Sequence, residues 1–424
     1  MITYMEALAI LRMAEPLNKE LLPVPEACGY VLAEHVTSPV RVPAFANSAM
    51  DGVAVRATDL THASRSSPVT LPVVGGSVAG DKPSSGGGGA WEIMTGAPLP
   101  EGYDAVVKIE DVAVEDRGVK FFAPIAKGRN IRKAGEDFKP GDAIAKPGTL
   151  LTPYHVMALA AVGIREVTVY RKPSITVFST GRELSDDVNR PLALGRIRNS
   201  NGPYLMAALH EMGYGPRYGG TIADDPEQFA TKLQEALPQA DVIVSTGAVS
   251  AGKHDFISDC LCQIGADIRF HKIKIRPGKP ALYARFADGA HYFGLPGNPI
   301  SVAAGLRFLV TPLLGHLQAM KPETPMPARL RAPSPKKSGL RFFLKARLSA
   351  MTDGAPHLTI LDGQESFKIH PMLRANCWAV LTEEQTGAKT GETVALYPLL
   401  PDRWALGSLG VTSLRREADS GTGS

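Results

Sequence analysis

The clearest pattern of apolar and polar positions lies between residues 173 and 320, where short unbroken apolar runs alternate with amphipathic stretches. Unbroken apolar runs are typical of strands that are buried on both faces of a parallel sheet. Helical stretches between such strands predict a doubly wound α/β domain. The predicted strands are Ile175–Phe178, Val242–Val244 and Ile268–Ile275, and further apolar runs cover Ala281–Phe286 and His291–Leu295. The predicted helices are Tyr204–Met212, Pro226–Leu237, Phe256–Ile264 and Ile300–Leu314.

Other patterns flank this central domain (173–320). Residues 1–40 and 140–172 indicate an N-terminal helical and linking domain, with a capping box at Thr3–Glu6 and helices at Glu26–His35 and Pro153–Val162. Residues 41–139 alternate short strands with turns, which predicts an inserted β-rich domain. The five prolines of Pro322–Pro335 predict a linker. Residues 330–405 are predicted to form a small C-terminal β domain, and residues 406–424 a disordered tail.

Composition narrows the class of protein. A chain of 424 residues is too long for one compact core, and 44% hydrophobic with 21% charged residues is typical of a soluble globular protein. The net charge of +4 is spread along the chain, so no nucleic-acid partner is expected. The longest apolar stretch, 300–317, is shorter than a membrane span and is interrupted by Arg307 and His316. Four scattered cysteines form no disulfide framework, and a cytoplasmic enzyme is expected.

Two glycine and proline turns are the first candidates for chemistry. Pro277-Gly278-Lys279-Pro280 precedes Gly294-Leu295-Pro296-Gly297-Asn298-Pro299, and the second turn opens into a predicted helix. Free N–H groups and the positive end of a helix dipole at such a turn favour a phosphate or another oxyanion. Ordinary tight turns are the alternative interpretation.

A cationic segment lies immediately before these turns. Within the predicted strand, Lys272, Lys274 and Arg276 occupy alternate positions, so they would share one face of the sheet. Three cations on one face would make a concentrated anion site. The alternative is a solvated edge strand whose lysines discourage aggregation.

Carboxylates recur next to predicted turns and helix starts. Asp51 precedes a glycine, Glu183 follows one Ser-Thr-Gly turn, and Asp225 and Asp255 precede predicted helices. Each has a structural alternative as a turn residue or a helix N-cap. Together with the cationic segment, they suit an Mg²⁺-assisted reaction on a phosphorylated substrate.

Several motifs carry a family resemblance in the family's order along almost the whole chain. These motifs are Asn47–Gly52, Ile93–Gly102, Asn130–Arg132 with Gly135–Asp137, Pro277–Pro280 and Gly294–Pro299. They resemble the molybdopterin molybdotransferase family, which comprises the bacterial MoeA proteins and is similar to the E domain of gephyrin. The resemblance implies a molybdopterin-binding central domain and insertion of molybdenum from molybdate into adenylylated molybdopterin, with Mg²⁺ and release of AMP. It also implies an elongated homodimer with its site between subunits.

The resemblance also implies roles for individual residues by position. The implied catalytic residues are Asp51, Thr95, Glu183, Asp225 and Asp255, of which Glu183, Asp225 and Asp255 would also bind the metal. The implied substrate-binding residues are Lys272, Lys274, Arg276, Lys279, Pro280, Gly297, Asn298, Ser301 and Arg341.

Departures from the family pattern leave a divergent paralogue open as one alternative function, and a second alternative comes from a related family whose central α/β domain is alike. Arg182 replaces an aspartate, Arg198 replaces a tyrosine, Ala248 replaces a glycine, and His370-Pro371 stands in a stretch that is usually rich in serine. These changes raise the positive charge and place the metal site in question. The alternatives are a molybdopterin adenylyltransferase, which is otherwise a possible partner protein, and a divergent non-catalytic molybdopterin-binding or scaffold paralogue.

Overall fold

The computed structural model describes residues 1–247, 256–336, 339–349 and 357–401. Helix α1 (Tyr4–Leu11) begins at the predicted capping box, where the Glu6 carboxylate accepts the Thr3 N–H at 2.7 Å and the Thr3 hydroxyl accepts the Glu6 N–H. Three short strands follow it: β1 (Lys19–Pro23), β2 (Val31–Leu32) and β3 (Val36–Thr37).

The inserted segment is built from short strands, as predicted. A four-stranded sheet has the order β7-β8-β5-β9, a three-stranded sheet has the order β10-β11-β6, and β12 pairs with β4. The strands are β4 (Asn47–Ser48), β5 (Gly52–Val55), β6 (Val69–Leu71), β7 (Val73–Ser77), β8 (Ala90–Ile93), β9 (Ala105–Lys108), β10 (Val112–Glu115), β11 (Gly118–Phe121) and β12 (Ile131–Arg132).

The chain then returns to the N-terminal strands through β13 (Ala143–Ala145), α2 (Pro153–Ala161) and β14 (Glu166–Tyr170). Strand β14 lies between β1 and β2 in an antiparallel sheet. The predicted helix over Glu26–His35 was wrong, because Val31 and Leu32 pair with β14 and leave only a 3₁₀ turn at Val24–Glu26. Here tertiary strand pairing outweighed local helix propensity.

The central domain contains a six-stranded sheet of order β18-β15-β19-β23-β22-β20, and its first four strands are parallel. This sheet confirms the predicted α/β fold class. The elements are β15 (Ile175–Thr180), β16 (Leu184–Ser185), β17 (Ile197–Arg198), α3 (Asn201–Glu211), β18 (Arg217–Ile222), α4 (Pro226–Ala236), β19 (Val242–Thr246), α5 (Ile257–Gln263), β20 (Asp267–His271), β21 (Ile275–Arg276), β22 (Leu282–Arg285), β23 (His291–Leu295), α6 (Pro299–Gly305) and α7 (Thr311–Leu317).

Both faces of the sheet are covered by helices, which makes the domain doubly wound. Val242 and Val244 face a core that also contains the apolar faces of α1, α3, α6 and α7. Ile243 points to the opposite face, where α4 and α5 pack. This burial on both faces explains why the strands are unbroken apolar runs in the sequence.

The predicted strand Ile268–Ile275 is interrupted at Lys272, which has a φ of 72° in the left-handed region. Strand β20 ends at His271, Ile273 forms a bridge with Ile2 of the N-terminus, and β21 pairs with a strand of the C-terminal domain. The predicted continuous strand was therefore wrong, although burial still alternates along the segment: Ile273 and Ile275 are buried, and the three cations Lys272, Lys274 and Arg276 are not.

Helices α6 and α7 are joined by a π-helical segment, Leu306–Val310. The combined stretch Pro299–Leu317 has 19 residues and a mean hydropathy of 1.5, which is sufficient by length and composition alone to cross a membrane. In the structure 78% of the tested window is buried inside the protein, as expected for a core helix of a doubly wound domain.

The C-terminal domain is a closed barrel, because β24, β26, β27, β28 and β30 each pair with two of the others. Its strands are β24 (Met326–Leu330), β25 (Ser334–Pro335), β26 (Arg341–Ser349), β27 (His357–Ile360), β28 (Cys377–Leu381), β29 (Gly387–Ala388) and β30 (Thr393–Pro398). Strand β24 lies inside the predicted linker, whose prolines hid the alternating burial of Ala328 and Leu330.

Candidate functional site

A cleft of about 380 Å³ lies between the central domain and the C-terminal barrel. It follows the carboxyl end of β23, the edge where ligands bind in sheets of this type. Five predicted substrate-binding residues line it together: Arg276, Lys279, Pro280, Asn298 and Ser301. The two glycine and proline turns identified in the sequence therefore share one cavity.

Local hydrogen bonds shape the wall of the cleft that the central domain contributes. The Ala281 N–H donates to the Gly278 carbonyl, and the Ile273 N–H donates to the Lys279 carbonyl at 2.9 Å. These bonds fold the first turn back on the chain. The Arg276 and Lys279 side chains remain exposed, whereas Ser301 is buried. The wall therefore presents two solvent-accessible cations beside a buried hydroxyl group.

The N-terminus of α6 does not supply the free amides that the sequence predicted. Pro299 has no N–H, the Ile300 N–H donates to the Ser366 carbonyl at 2.9 Å, and the Ser301 N–H donates to the Asn298 carbonyl at 3.0 Å. The Val302 N–H also donates to the Asn298 carbonyl. That part of the prediction was wrong, because a loop of the barrel already occupies the helix terminus. An anion in this cleft would depend mainly on side chains.

The opposing wall was missed by the sequence analysis. It is formed by Leu340 and by residues 364–367 of a loop that runs from β27 toward β28. Asn298 Nδ2 donates to Ser366 Oγ at 3.0 Å, which joins the two walls directly. The available signal was the Asp362-Gly363 turn between two apolar runs, but no sequence spacing connects it to Asn298.

Four predicted substrate-binding residues are not among those that line the cleft. The main chains of Lys272 and Lys274 form hydrogen bonds with Ile2, and Gly297 accepts a hydrogen bond from Asn201 Nδ2 at 2.7 Å. Arg341 forms an ion pair with Glu383 at 3.0 Å and lies over the ring of Tyr4. This guanidinium joins α1 to the barrel.

The predicted catalytic pair Asp51 and Thr95 is present in the inserted segment. The Thr95 N–H and hydroxyl both donate to one Asp51 oxygen at 2.7 Å. These two hydrogen bonds hold the pKa of Asp51 below its usual value, so the carboxylate is ionised at neutral pH. Neither residue lines the cleft.

The three predicted metal ligands have different surroundings. Glu183 is exposed, and Asp225 accepts the Glu227 and Gln228 N–H groups as the N-cap of α4. Asp255, like Ala248, lies outside the described residues. Among the residues that the structure describes, no group of three or more His, Cys, Asp or Glu side chains is arranged to bind a metal ion. The described carboxylates by themselves therefore do not fit a metal site.

Arg198, which departs from the family pattern, and the nearby Arg196 both bind the main chain after β15. Arg198 donates to the carbonyls of Asp187 and Arg190, and Arg196 donates to the carbonyls of Arg182 and Leu184. Their guanidinium groups therefore hold the loop between β16 and β17.

The two Ser-Thr-Gly turns meet at the carboxyl edge of the sheet. Thr180 Oγ1 donates to the Thr246 carbonyl at 2.8 Å, because β15 and β19 are adjacent parallel strands. A Cβ atom at Gly247 would lie 2.1 Å from the Thr180 carbonyl oxygen, so only glycine fits there. Both turns therefore lie at the same edge of the sheet.

The fold and the cleft together define a doubly wound α/β protein with a cavity at the carboxyl edge of its sheet, lined by two cations and one carboxylate. Residues 176–316 match the family model of a probable molybdopterin binding domain. Residues 2–163 match the MoeA N-terminal region (domain I and II), and residues 327–399 match the MoeA C-terminal region (domain IV). The chain belongs to the MoeA family, as the motifs predicted.

Relatives and solved structures agree with this membership. The chain is 37% identical over 394 residues to a molybdopterin molybdenumtransferase of Synechococcus elongatus, with coverage of 91% of this chain and 95% of the relative. It is 36% identical over 392 residues to the Haemophilus influenzae protein of the same name, covering 90% and 94%. A crystal structure of a molybdopterin biosynthesis MoeA protein from Pyrococcus horikoshii is similar with a TM-score of 0.75 and 31% identity, covering 94% and 99%.

Proposed function

We propose that this protein is a molybdopterin molybdenumtransferase of molybdenum cofactor biosynthesis, which uses molybdate and adenylylated molybdopterin and releases AMP. The observation that supports this function is the cleft in which Arg276 and Lys279 lie beside Ser301 and opposite Ser366. Molybdate and the phosphates of the substrate are anions, which a site with two accessible cations can gather.

The residues of the cleft would act by binding and orienting anions. Arg276 and Lys279 would neutralise charge that develops as AMP leaves, and the hydroxyl of Ser301 would orient one oxyanion. In phosphoryl chemistry, positioning and charge stabilisation account for most of the catalysis. The reaction class therefore agrees with a site that offers cations and hydroxyl groups.

The remaining components are proposed from the family resemblance. The ionised Asp51 would reach the site from a second subunit, since it does not line the cleft of its own chain, and this requires a homodimer. Mg²⁺ bound at substrate phosphates would supply additional charge neutralisation, because Mg²⁺ needs only one or two protein carboxylates. We also propose a cytoplasmic location, and a molybdopterin adenylyltransferase as the partner that supplies the substrate.

The test is AMP release by the purified protein from adenylylated molybdopterin, with and without molybdate. Lys279→Ala should weaken molybdate binding about ten-fold, because a charged hydrogen-bond donor is lost. Lys274→Ala is the matched control, since Lys274 lies on the same segment but outside the cleft. Absence of molybdate-dependent AMP release would overturn the assignment. Tight molybdopterin binding without release would instead favour the non-catalytic paralogue.

A further inference from the structure

The barrel wall of the cleft is held by a buried lysine. Lys345 lies on β26 with no exposed surface, and its Nζ donates to the carbonyls of Gly363, Glu365 and Lys368, the last two at 3.1 and 3.2 Å. We propose that Lys345 is a positioning residue for the molybdate-binding cleft, acting through this loop. The proposal rests on the proposed function for the identity of the ligand.

The ammonium group of Lys345 has no donor left for a ligand. A protonated lysine has three N–H donors, and three loop carbonyls accept them. Burial lowers the pKa of Lys345, because a charged group loses hydration in the interior. The three carbonyls compensate for this lost hydration only while the loop keeps its present conformation. The conformation of the loop and the charge of Lys345 therefore stabilise each other.

A second set of hydrogen bonds fixes the same loop to the same residue. Gln364 Oε1 accepts the Lys345 N–H at 3.0 Å, and Gln364 Nε2 donates to the Lys345 carbonyl at 2.9 Å. The tight turn before Gln364 requires Gly363, whose φ is 76° and whose added Cβ would lie 3.0 Å from Pro371. Main-chain and side-chain atoms of Lys345 thus both determine where the loop lies.

The loop in turn contacts the central wall of the cleft. The Ser366 carbonyl accepts the Ile300 N–H at 2.9 Å, and Ser366 Oγ accepts Asn298 Nδ2 at 3.0 Å. Asn298 and Ser301 belong to the turn and helix start that line the cleft. If the Lys345 side chain no longer offers N–H donors, the carbonyls of Gly363, Glu365 and Lys368 are left unpaired, and the part of the loop after Gln364 must move although Gln364 stays bonded to the main chain of residue 345. Ser366 would then withdraw from α6, and the cleft would lose its second wall.

The principal variant is Lys345→Met, which keeps the length of the side chain and removes the charge. Lys345→Arg keeps the charge, and Lys389→Met is the matched control, because Lys389 is an exposed lysine of the same barrel that does not line the cleft. Three measurements are made: amide hydrogen exchange at Ile300, direct binding of molybdate to the protein, and the emission of Trp378, which lies opposite Lys345 on β28 and packs against Phe308 of the central domain. Trp91 and Trp404 are replaced by Phe in all the proteins compared, so that the emission comes from Trp378 alone. Unchanged Trp378 emission shows that the barrel remains folded.

In Lys345→Met the Ile300 amide should exchange about ten-fold faster than in the wild type, and the affinity for molybdate should fall about ten-fold. A ten-fold change corresponds to the loss of about one charged hydrogen bond. Lys345→Arg should recover most of both losses, and Lys389→Met should match the wild type. A folded Lys345→Met protein with unchanged Ile300 exchange and molybdate affinity would overturn the proposal. If that variant does not fold, Lys345→Gln is measured under the same criteria. Both readouts are independent of turnover, so absence of AMP release by the wild type would refute the proposed function and leave this inference standing.

Discussion

His291 begins strand β23, which leads directly into the turn that lines the cleft. Its side chain is buried, and its Nδ1 lies 2.8 Å from the hydroxyl of Tyr283, whose ring stacks on the imidazole. Burial lowers the pKa of His291 from 6.5 to about 4, and the nearby Arg285 acts in the same direction. His291 is therefore neutral in the folded protein at pH 5, whereas it is protonated in the unfolded chain.

The low pKa of His291 should make the folded protein less stable in acid. As the pH falls below 6.5, the unfolded state binds a proton that the folded state rejects, so the free energy of unfolding decreases until the pH reaches the folded pKa. With these two pKa values the loss between about pH 7.5 and about pH 5 amounts to about 2 kcal/mol, since one pKa unit corresponds to about 1.4 kcal/mol.

The assay is thermal or urea unfolding of the wild type and His291→Gln across this pH range. Carboxylates also titrate there, so the quantity to compare is the difference in pH dependence between the two proteins. Between these pH values the free energy of unfolding of His291→Gln should decrease by about 2 kcal/mol less than that of the wild type, because glutamine has no imidazole to protonate in the unfolded chain. His210→Gln serves as the control, because His210 is exposed on α3. Parallel pH profiles for the wild type and His291→Gln would refute the reasoning.

Three further substitutions test other parts of the structure. Arg307 is 2% exposed and binds both oxygens of Glu323 at 2.7 Å, so Glu323→Gln should cost about 3 kcal/mol of unfolding free energy in denaturant titrations. His155 Nδ1 accepts the Thr152 N–H at the start of α2, which requires this nitrogen to be unprotonated. A glutamate can accept the same hydrogen bond as a carboxylate, so His155→Glu should raise the melting temperature more at about pH 5 than at about pH 8. An equal rise at both pH values would contradict this. Thr95→Val removes one of the two hydrogen bonds that lower the pKa of Asp51, so the acidic limb of the pH profile for AMP release should move to higher pH.

Several helices and strands were predicted correctly from the local sequence. The capping box at Thr3–Glu6 fixed the start of α1, and proline after Asp225 fixed the start of α4. The buried strands β15 and β19 lie where unbroken apolar runs predicted them. These predictions succeeded because capping and burial on both faces depend on residues close together in the chain.

Other elements depended on partners that are distant in sequence. Val31 and Leu32 became a strand because β14 pairs with them, and the strand after β20 broke at Lys272 because Ile273 forms a bridge with the N-terminus. In the same way β24 formed within a proline-rich stretch because β27 and β30 flank it. Strand pairing over long separations has no local pattern from which it can be predicted.

The residues of the site also fall into those that local sequence predicts and those whose contacts depend on distant parts of the chain. The sequence alone determined the family, the α/β fold class and the two turns that carry Lys279 and Asn298, because these features are short contiguous motifs. Only the tertiary structure decided that Ser366 closes the start of α6, that Arg341 pairs with Glu383 and that Lys345 supports the opposite wall. Hydrogen bonds and ion pairs join whichever groups folding brings within reach, so their partners are determined by the packing of the barrel against the central sheet.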